Sequence, residues 1–188
     1  MHKVAALVSG GGTNLQAIID AKIPNVEVAL VISTNDHAYA LKRAEKHGIE
    51  SIVLTKKIHN REEILLNVLK ERNIDLVVMC GCMMVLSAGF VGDWDKPIIN
   101  VHPALLPKFG GKGFYGLAVH EAVLAAGESV TGATVHFVDD GIDTGSIILQ
   151  RKVAVQECDT PETLQKRVMK EAEWQILPEA IDLLLNGE

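Results

Sequence analysis

Asn100 and His102 stand two residues apart at the end of the extended run 97–101, directly before Pro103. On a strand, positions i and i+2 project to the same side, so the amide and the imidazole can face one cleft. Pro103 stops ladder pairing, and Pro107 keeps the following chain out of regular structure. Both side chains are therefore expected at the carboxyl end of a strand, where open α/β sheets bind their ligands. Near neutrality a histidine supplies a proton best beside a carboxylate that favours its charged form. Three aspartates in the acidic segment 139–145 are candidates. Asp143, before Thr144 and Gly145 at the base of that loop, is more fixed than Asp139 or Asp140.

A second constellation is the turn Ser9-Gly10-Gly11-Gly12-Thr13-Asn14-Leu15-Gln16, which joins a buried strand to a helix. Free N–H groups and a helix N-terminus suit a phosphate. Leu15 stands where a dinucleotide fingerprint has its third glycine, and there is no Walker lysine, which favours a monophosphate. The other reading is a tight turn in which Thr13 or Asn14 merely caps the helix. There is no G-x-S-x-G elbow and no cysteine in a basic setting, so the chemistry need not pass through a covalent enzyme intermediate. Cys80 and Cys82 read as buried thiols. His102, His120 and His136 lie on separate elements without a thiol or carboxylate at ligand spacing, so no metal is expected. His120 reads as a packing or polar-face residue, whereas His136 is either a core histidine or a wall of the cleft.

The elements that must position these groups follow a βαβ rhythm. Short β-branched runs at 4–9, 28–33, 51–54, 76–80 and 98–101 alternate with helical patterns at 14–21, 38–47, 61–72, 83–91 and 117–126. Strands such as Leu76-Val77-Val78-Met79 are apolar on both faces, as a sheet between two helix layers requires. Residues 133–138 and 146–155 follow each other without a crossover helix and predict an antiparallel pair at a sheet edge. A last helix is expected from Pro161 to about Leu185, capped by Thr160 and broken or kinked at Pro178. The fold class is thus α/β, a doubly wound and mostly parallel sheet with an antiparallel edge pair and a C-terminal helix.

With 188 residues, 48% of them hydrophobic, the chain suffices for one domain with a core on two sheet faces. A net charge of −6 argues against nucleic acid or an anionic membrane as the main partner and favours small molecules. No signal-peptide pattern and no apolar run of about 18 residues occurs, which predicts a cytoplasmic protein.

The stretches G-G-G-T-N-L-Q, N-V-H-P-A-L-L-P-K and T-V-H-F-V-D-D-G-I-D-T-G-S-I-I-L-Q resemble the phosphoribosylglycinamide formyltransferases, folate-dependent enzymes of purine biosynthesis. The resemblance runs from the first strand to the last helix. It implies Asn100, His102 and Asp143 as catalytic groups, and Gly12, Thr13, Asn14 and Glu173 as the site of the glycinamide ribonucleotide. It also implies 10-formyltetrahydrofolate as co-substrate, walled by Met83, Met84, Val85 and Leu86 and by Asp139, Asp140, Gly141, Ile142 and Asp143. Arg61 corresponds to a residue associated with the folate's tail. The family pattern implies no metal, and a monomer or homodimer. Two positions depart from it: Met84 stands where arginine is frequent, and Cys82 where phenylalanine is. A hydrolase with a similar Asn, His and Asp set is the nearest rival, but such proteins carry an added N-terminal domain, and this chain starts on its first strand. A formyltransferase acting on tRNA would add a C-terminal domain, and a non-catalytic nucleotide-binding module need not keep the triple.

Overall fold

The computed structural model describes residues 1–187. Its strands are β1 His2–Val8, β2 Val26–Ser33, β3 Glu50–Val53, β4 Leu76–Met79, β5 Ile98–His102, β6 Val130–Phe137 and β7 Ile147–Ala154. They form one sheet in the order β3-β2-β1-β4-β5-β6-β7. β1 to β5 are parallel, while β6 runs antiparallel to both β5 and β7. The helices are α1 Thr13–Ala21, α2 Tyr39–Lys46, α3 Arg61–Glu71, α4 Ala88–Asp93, α5 Leu117–Ala125, α6 Pro161–Val168 and α7 Trp174–Asn186.

Strand period sorts the core into two layers. In β1, Val4, Ala6 and Val8 pack with Leu15 and Ile18 of α1 and with α5, α6 and α7. Ala5 and Leu7 point the other way, to Leu65 and Leu69 of α3 and Phe90 of α4. Every residue of β4 is buried, as its unbroken apolar run requires. Chain order reverses between β1 and β4, and a crevice opens there at the strands' carboxyl ends, where such sheets hold ligands. The turn after β1 and the segment after β4 border it.

Gly48 and Gly127 end α2 and α5 with φ of 67° and 65°. At each, the next two N–H groups return to the helix: Gly48 to Glu45 and Ile49 to Ala44, Gly127 to Leu124 and Glu128 to Val123. This pairing satisfies carbonyls that the helix leaves open. Thr160 caps α6 as expected, its hydroxyl accepting from Thr163 N–H while Thr163 returns the bond.

Three expectations need correction. The helix expected over 83–91 does not begin until Ala88 and runs to Asp93; before it, Met84 and Leu86 are buried while Met83 and Val85 are exposed. That alternation has the period of a strand, and the N–H of Met83 is held by Ser9 Oγ at 2.7 Å. The strand expected to start at 133 starts at Val130. Pro178 does not break the last helix, since α7 continues through it. The interruption comes earlier, as a π-helical turn over Met169–Glu173. That wider turn shifts the hydrogen-bond register before the proline's missing N–H is reached.

Candidate active site

The β5/β6 register brings the first polar groups together. Asn100 lies opposite His136 and His102 opposite Thr134 across the antiparallel ladder. Asn100 Nδ2 lies 3.2 Å from His136 Nε2. His136 Nδ1 lies 2.8 Å from the Phe137 carbonyl, which can only accept, so Nδ1 carries a hydrogen. By the same logic His102 donates from Nε2 to the Phe109 carbonyl at 2.7 Å. Its other nitrogen, Nδ1, is the one left to gain or lose a proton.

Asp143 closes the group from the β6/β7 loop. Its Oδ2 lies 3.5 Å from His102 Nδ1 and accepts the Gly111 N–H at 2.9 Å. Its Oδ1 lies 3.5 Å from His136 Nε2 and 3.4 Å from Asn100 Nδ2. At φ 58° its backbone is left-handed, a conformation aspartate tolerates better than most residues. Burial pushes the Asp143 carboxyl up, but the His136 contact, the Gly111 N–H and the neighbouring histidine charges outweigh it and hold the acid below its ordinary range. For His102 the balance goes the other way. Burial lowers its pKa, and Asp143 and the Phe109 carbonyl offset this only in part. Asp143 does raise the His102 pKa, as expected, but the ring is only 4% exposed and desolvation outweighs that effect, so the net shift is downward.

These groups line a cavity of about 570 Å³, within the range of small-molecule sites. Thr13, Asn14 and Glu173 line it on one side, and Met83 to Leu86 with Asp139, Gly141 and Ile142 on another. Asn14 Nδ2 donates to Glu173 Oε2 at 2.8 Å, and Asn14 Oδ1 is buried without a partner. Burial pushes the Glu173 carboxyl up to about 6 against the lowering effect of Asn14. The π-helical turn is what carries Glu173 to the cavity, a placement typical of such turns at functional sites.

Three of the residues singled out from sequence are not on the cavity wall. Gly12 is the buried N-cap of α1 within the turn, with φ 70°. Neither Thr13 nor Asn14 caps the helix, so the turn is not explained as capping. Asp140 is exposed at the loop tip. Arg61 opens α3 and comes near enough to act on the thiol of Cys82, which does line the cavity. Burial raises the pKa of both Cys80 and Cys82, so neither thiol is a ready nucleophile.

Other wall residues escaped the sequence reading. The segment 111–116, Gln165 and Met169 face the cavity. His136 was left open between core and cleft; only the strand register decides it. His120 lines the cavity from α5, is fully buried, and has no partner for either ring nitrogen. Burial, aided by the His102 charge, pushes its pKa down to about 4. Between pH 6.5 and 4 the unfolded chain binds a proton that the folded protein refuses. The His120 contribution to stability is thus complete above pH 6.5 and is lost as pH falls through 4. It amounts to about 3 kcal/mol at full extent. His120→Leu should reduce the loss of unfolding free energy between pH 7 and pH 4 by about that much in urea titrations. An unchanged acid sensitivity would contradict this burial of a neutral ring.

Among the described residues no group of three histidine, cysteine or acidic side chains is placed to hold a metal ion, and no helix is long and apolar enough to cross a membrane.

Comparison with known proteins gives the geometry a context. Residues 2–181 match the family described as formyl transferase. The human trifunctional purine biosynthetic protein adenosine-3 is 43% identical over 98% of this chain, which spans 18% of that protein. The chloroplastic phosphoribosylglycinamide formyltransferase of Arabidopsis thaliana is 38% identical over 90% of the chain and 61% of its own length. The chain thus spans less than two thirds of these curated relatives. The crystal structure of glycinamide ribonucleotide transformylase 1 from Symbiobacterium toebii superposes with a TM-score of 0.90 at 38% identity, covering 100% of this chain and 89% of that one.

Proposed function

The chain belongs to the formyl transferase family, and from that premise we propose that it transfers the formyl group of 10-formyltetrahydrofolate to the amine of 5'-phosphoribosylglycinamide in purine biosynthesis. The observation that carries this reading is a single cavity lined by the polar cluster of Asn100, His102 and Asp143 together with two chemically different sets of residues, which we read as two halves. One half, at Thr13, Asn14 and Glu173, offers backbone N–H groups to a phosphate and polar side chains to hydroxyls. The other, with Met84 and Leu86 buried behind it and the loop 139–143 beside it, offers apolar wall and backbone to a flat heterocycle. Arg61 and Asp140 flank that half from outside the lining, where the tail of a folate would emerge.

The chemistry follows from the protonation states. His102 enters neutral, because burial lowers its pKa. The substrate amine attacks the formyl carbon, the carbonyl electrons move onto oxygen, and a tetrahedral oxyanion forms. Asn100 donates to that oxyanion. Its 3.4 Å contact with Asp143 is at the limit of a hydrogen bond, so that amide hydrogen is the one free to turn to substrate. The nitrogen that attacked becomes cationic and passes a proton to His102, directly or through water. The imidazolium so formed faces Asp143 Oδ2, which stabilises it. Collapse of the intermediate breaks the bond to the folate nitrogen, which takes the proton back from His102 and leaves as tetrahydrofolate. No covalent bond to the protein is needed, consistent with thiols kept protonated by burial.

The same cluster could pass the formyl group to water. Steady-state turnover with and without phosphoribosylglycinamide separates the two, following both tetrahydrofolate and free formate. Tetrahydrofolate released only with the amine, and without formate, is the expected result; formate released in its absence would make the protein a hydrolase.

A further inference from the structure

The glycine turn after β1 rests on α2 through two hydrogen bonds, and the start of α1 through a third. Ala40 N–H donates to the Gly10 carbonyl at 3.1 Å, and Arg43 Nε donates to the Gly11 carbonyl at 2.8 Å. Arg43 Nη1 also donates to Gln16 Oε1 at 3.0 Å, while its guanidinium lies 5.2 Å over the Tyr39 ring. The seat is tight: a Cβ on Gly12 would lie 2.6 Å from that of Ala40.

These bonds decide where the turn's donors point. In a planar trans peptide the C=O of one residue and the N–H of the next face opposite ways. With the carbonyls of Gly10 and Gly11 turned to α2, the N–H groups of Gly11 and Gly12 point away from it. Neither N–H has a protein acceptor among the described residues. Beyond them stand the open N–H groups of the first turn of α1, whose positive dipole end lies here. Asn14, in that turn, lines the cavity, is 7% exposed and has a buried Oδ1 without a partner; as an acceptor, that oxygen calls for a ligand hydroxyl beside the phosphate, a second sign that a ligand completes the site. A run of three glycines has no side chains to resist a peptide flip, so its orientation must be imposed from outside.

We propose that Arg43 is a positioning residue for a phosphate monoester: by holding the Gly11 carbonyl it aims the Gly11 and Gly12 N–H groups at the phosphate, and its charge adds to the turn's attraction for an anion. The identity of the ester rests on the function proposed above, whereas the phosphate geometry does not.

Titration of ¹⁵N-labelled protein with inorganic phosphate, read at the amides of Gly11, Gly12 and Thr13, tests it without turnover. The native protein should show saturable shifts at these amides, and Arg43→Met, which keeps an unbranched side chain against Ala40 and Tyr39, should bind at least about tenfold more weakly. In turnover, the KM for phosphoribosylglycinamide should rise by a similar factor, with kcat within about threefold and the KM for the folate unchanged. Phosphate binding equal to that of the native protein, or a parallel rise in both KM values, would overturn the proposal. Should Arg43→Met fail to fold, Arg43→Lys keeps the charge with one nitrogen for two acceptors. It should lose a smaller part of the same affinity, and a native value there would also overturn the proposal. Phosphate binding that depends on Arg43, in a protein that transfers no formyl group, would sink the transferase reading and leave this inference standing.

Discussion

His102→Ala should lower kcat by about a thousandfold or more, with both KM values within about threefold. The ring is 4% exposed, reaches Asp143 through Nδ1 and is fixed by the Phe109 carbonyl through Nε2. It thus has one nitrogen committed to position and one to protons. Its loss removes the carrier that takes the proton from the attacking amine and returns it to the folate nitrogen. The phosphate turn and the apolar half of the cavity are untouched, so binding should survive. Steady-state kinetics of the purified variant, with thermal unfolding to confirm its fold, make the comparison. A kcat within tenfold of native would show that His102 is not the proton carrier; an intact kcat with a raised KM would recast it as a binding residue.

The second large effect is expected at Asp143, which meets four groups at once. Gly111 N–H and Asn100 Nδ2 point hydrogens at its carboxylate, while His102 Nδ1 and His136 Nε2 face it at 3.5 Å. Asp143→Asn keeps the volume but removes the charge that stabilises the His102 imidazolium. It also presents amide hydrogens or an oxygen where a symmetric acceptor stood. A fall in kcat of about 10²- to 10³-fold is expected. The sign of the accompanying pH change is fixed. Burial already lowers the His102 pKa and Asp143 raises it, so removing the charge lowers it further. The acid limb of the kcat profile, where His102 must be free to accept a proton, should move to lower pH. A purely structural aspartate would cost activity without moving that limb.

Much of this arrangement was legible before any coordinates. Alternating β-branched and helical runs specify a parallel sheet because crossover helices leave few other packings. The pair Asn100 and His102 could be placed on one face by strand period alone, and Pro103 marked the strand end. What stayed hidden depended on distances across the sheet. His136 joins the cluster because the β5/β6 register sets it opposite Asn100, and sequence does not number a register. Segment 83–86 reads as helix in the sequence because Met-Met-Val-Leu is apolar in any period; its alternation shows only in which residues are covered. Glu173 was reached by resemblance rather than by pattern, since the π turn that directs it inward has no local signature. The direction of the His102 shift was missed for a related reason: a charge partner can be guessed from sequence, but the depth of burial that outweighs it cannot.

The central claim is direct transfer from folate to amine at the Asn100, His102 and Asp143 cluster, with no formyl-enzyme intermediate. A single turnover with enzyme in excess over folate carrying a labelled formyl group tests it most directly, quenched at short times with and without phosphoribosylglycinamide. The account predicts that without the amine the label stays on the folate. With the amine, the label appears in formylated product at the rate tetrahydrofolate forms, and none is retained on the protein. Label bound to the protein before the amine is added, or released as formate, would contradict it.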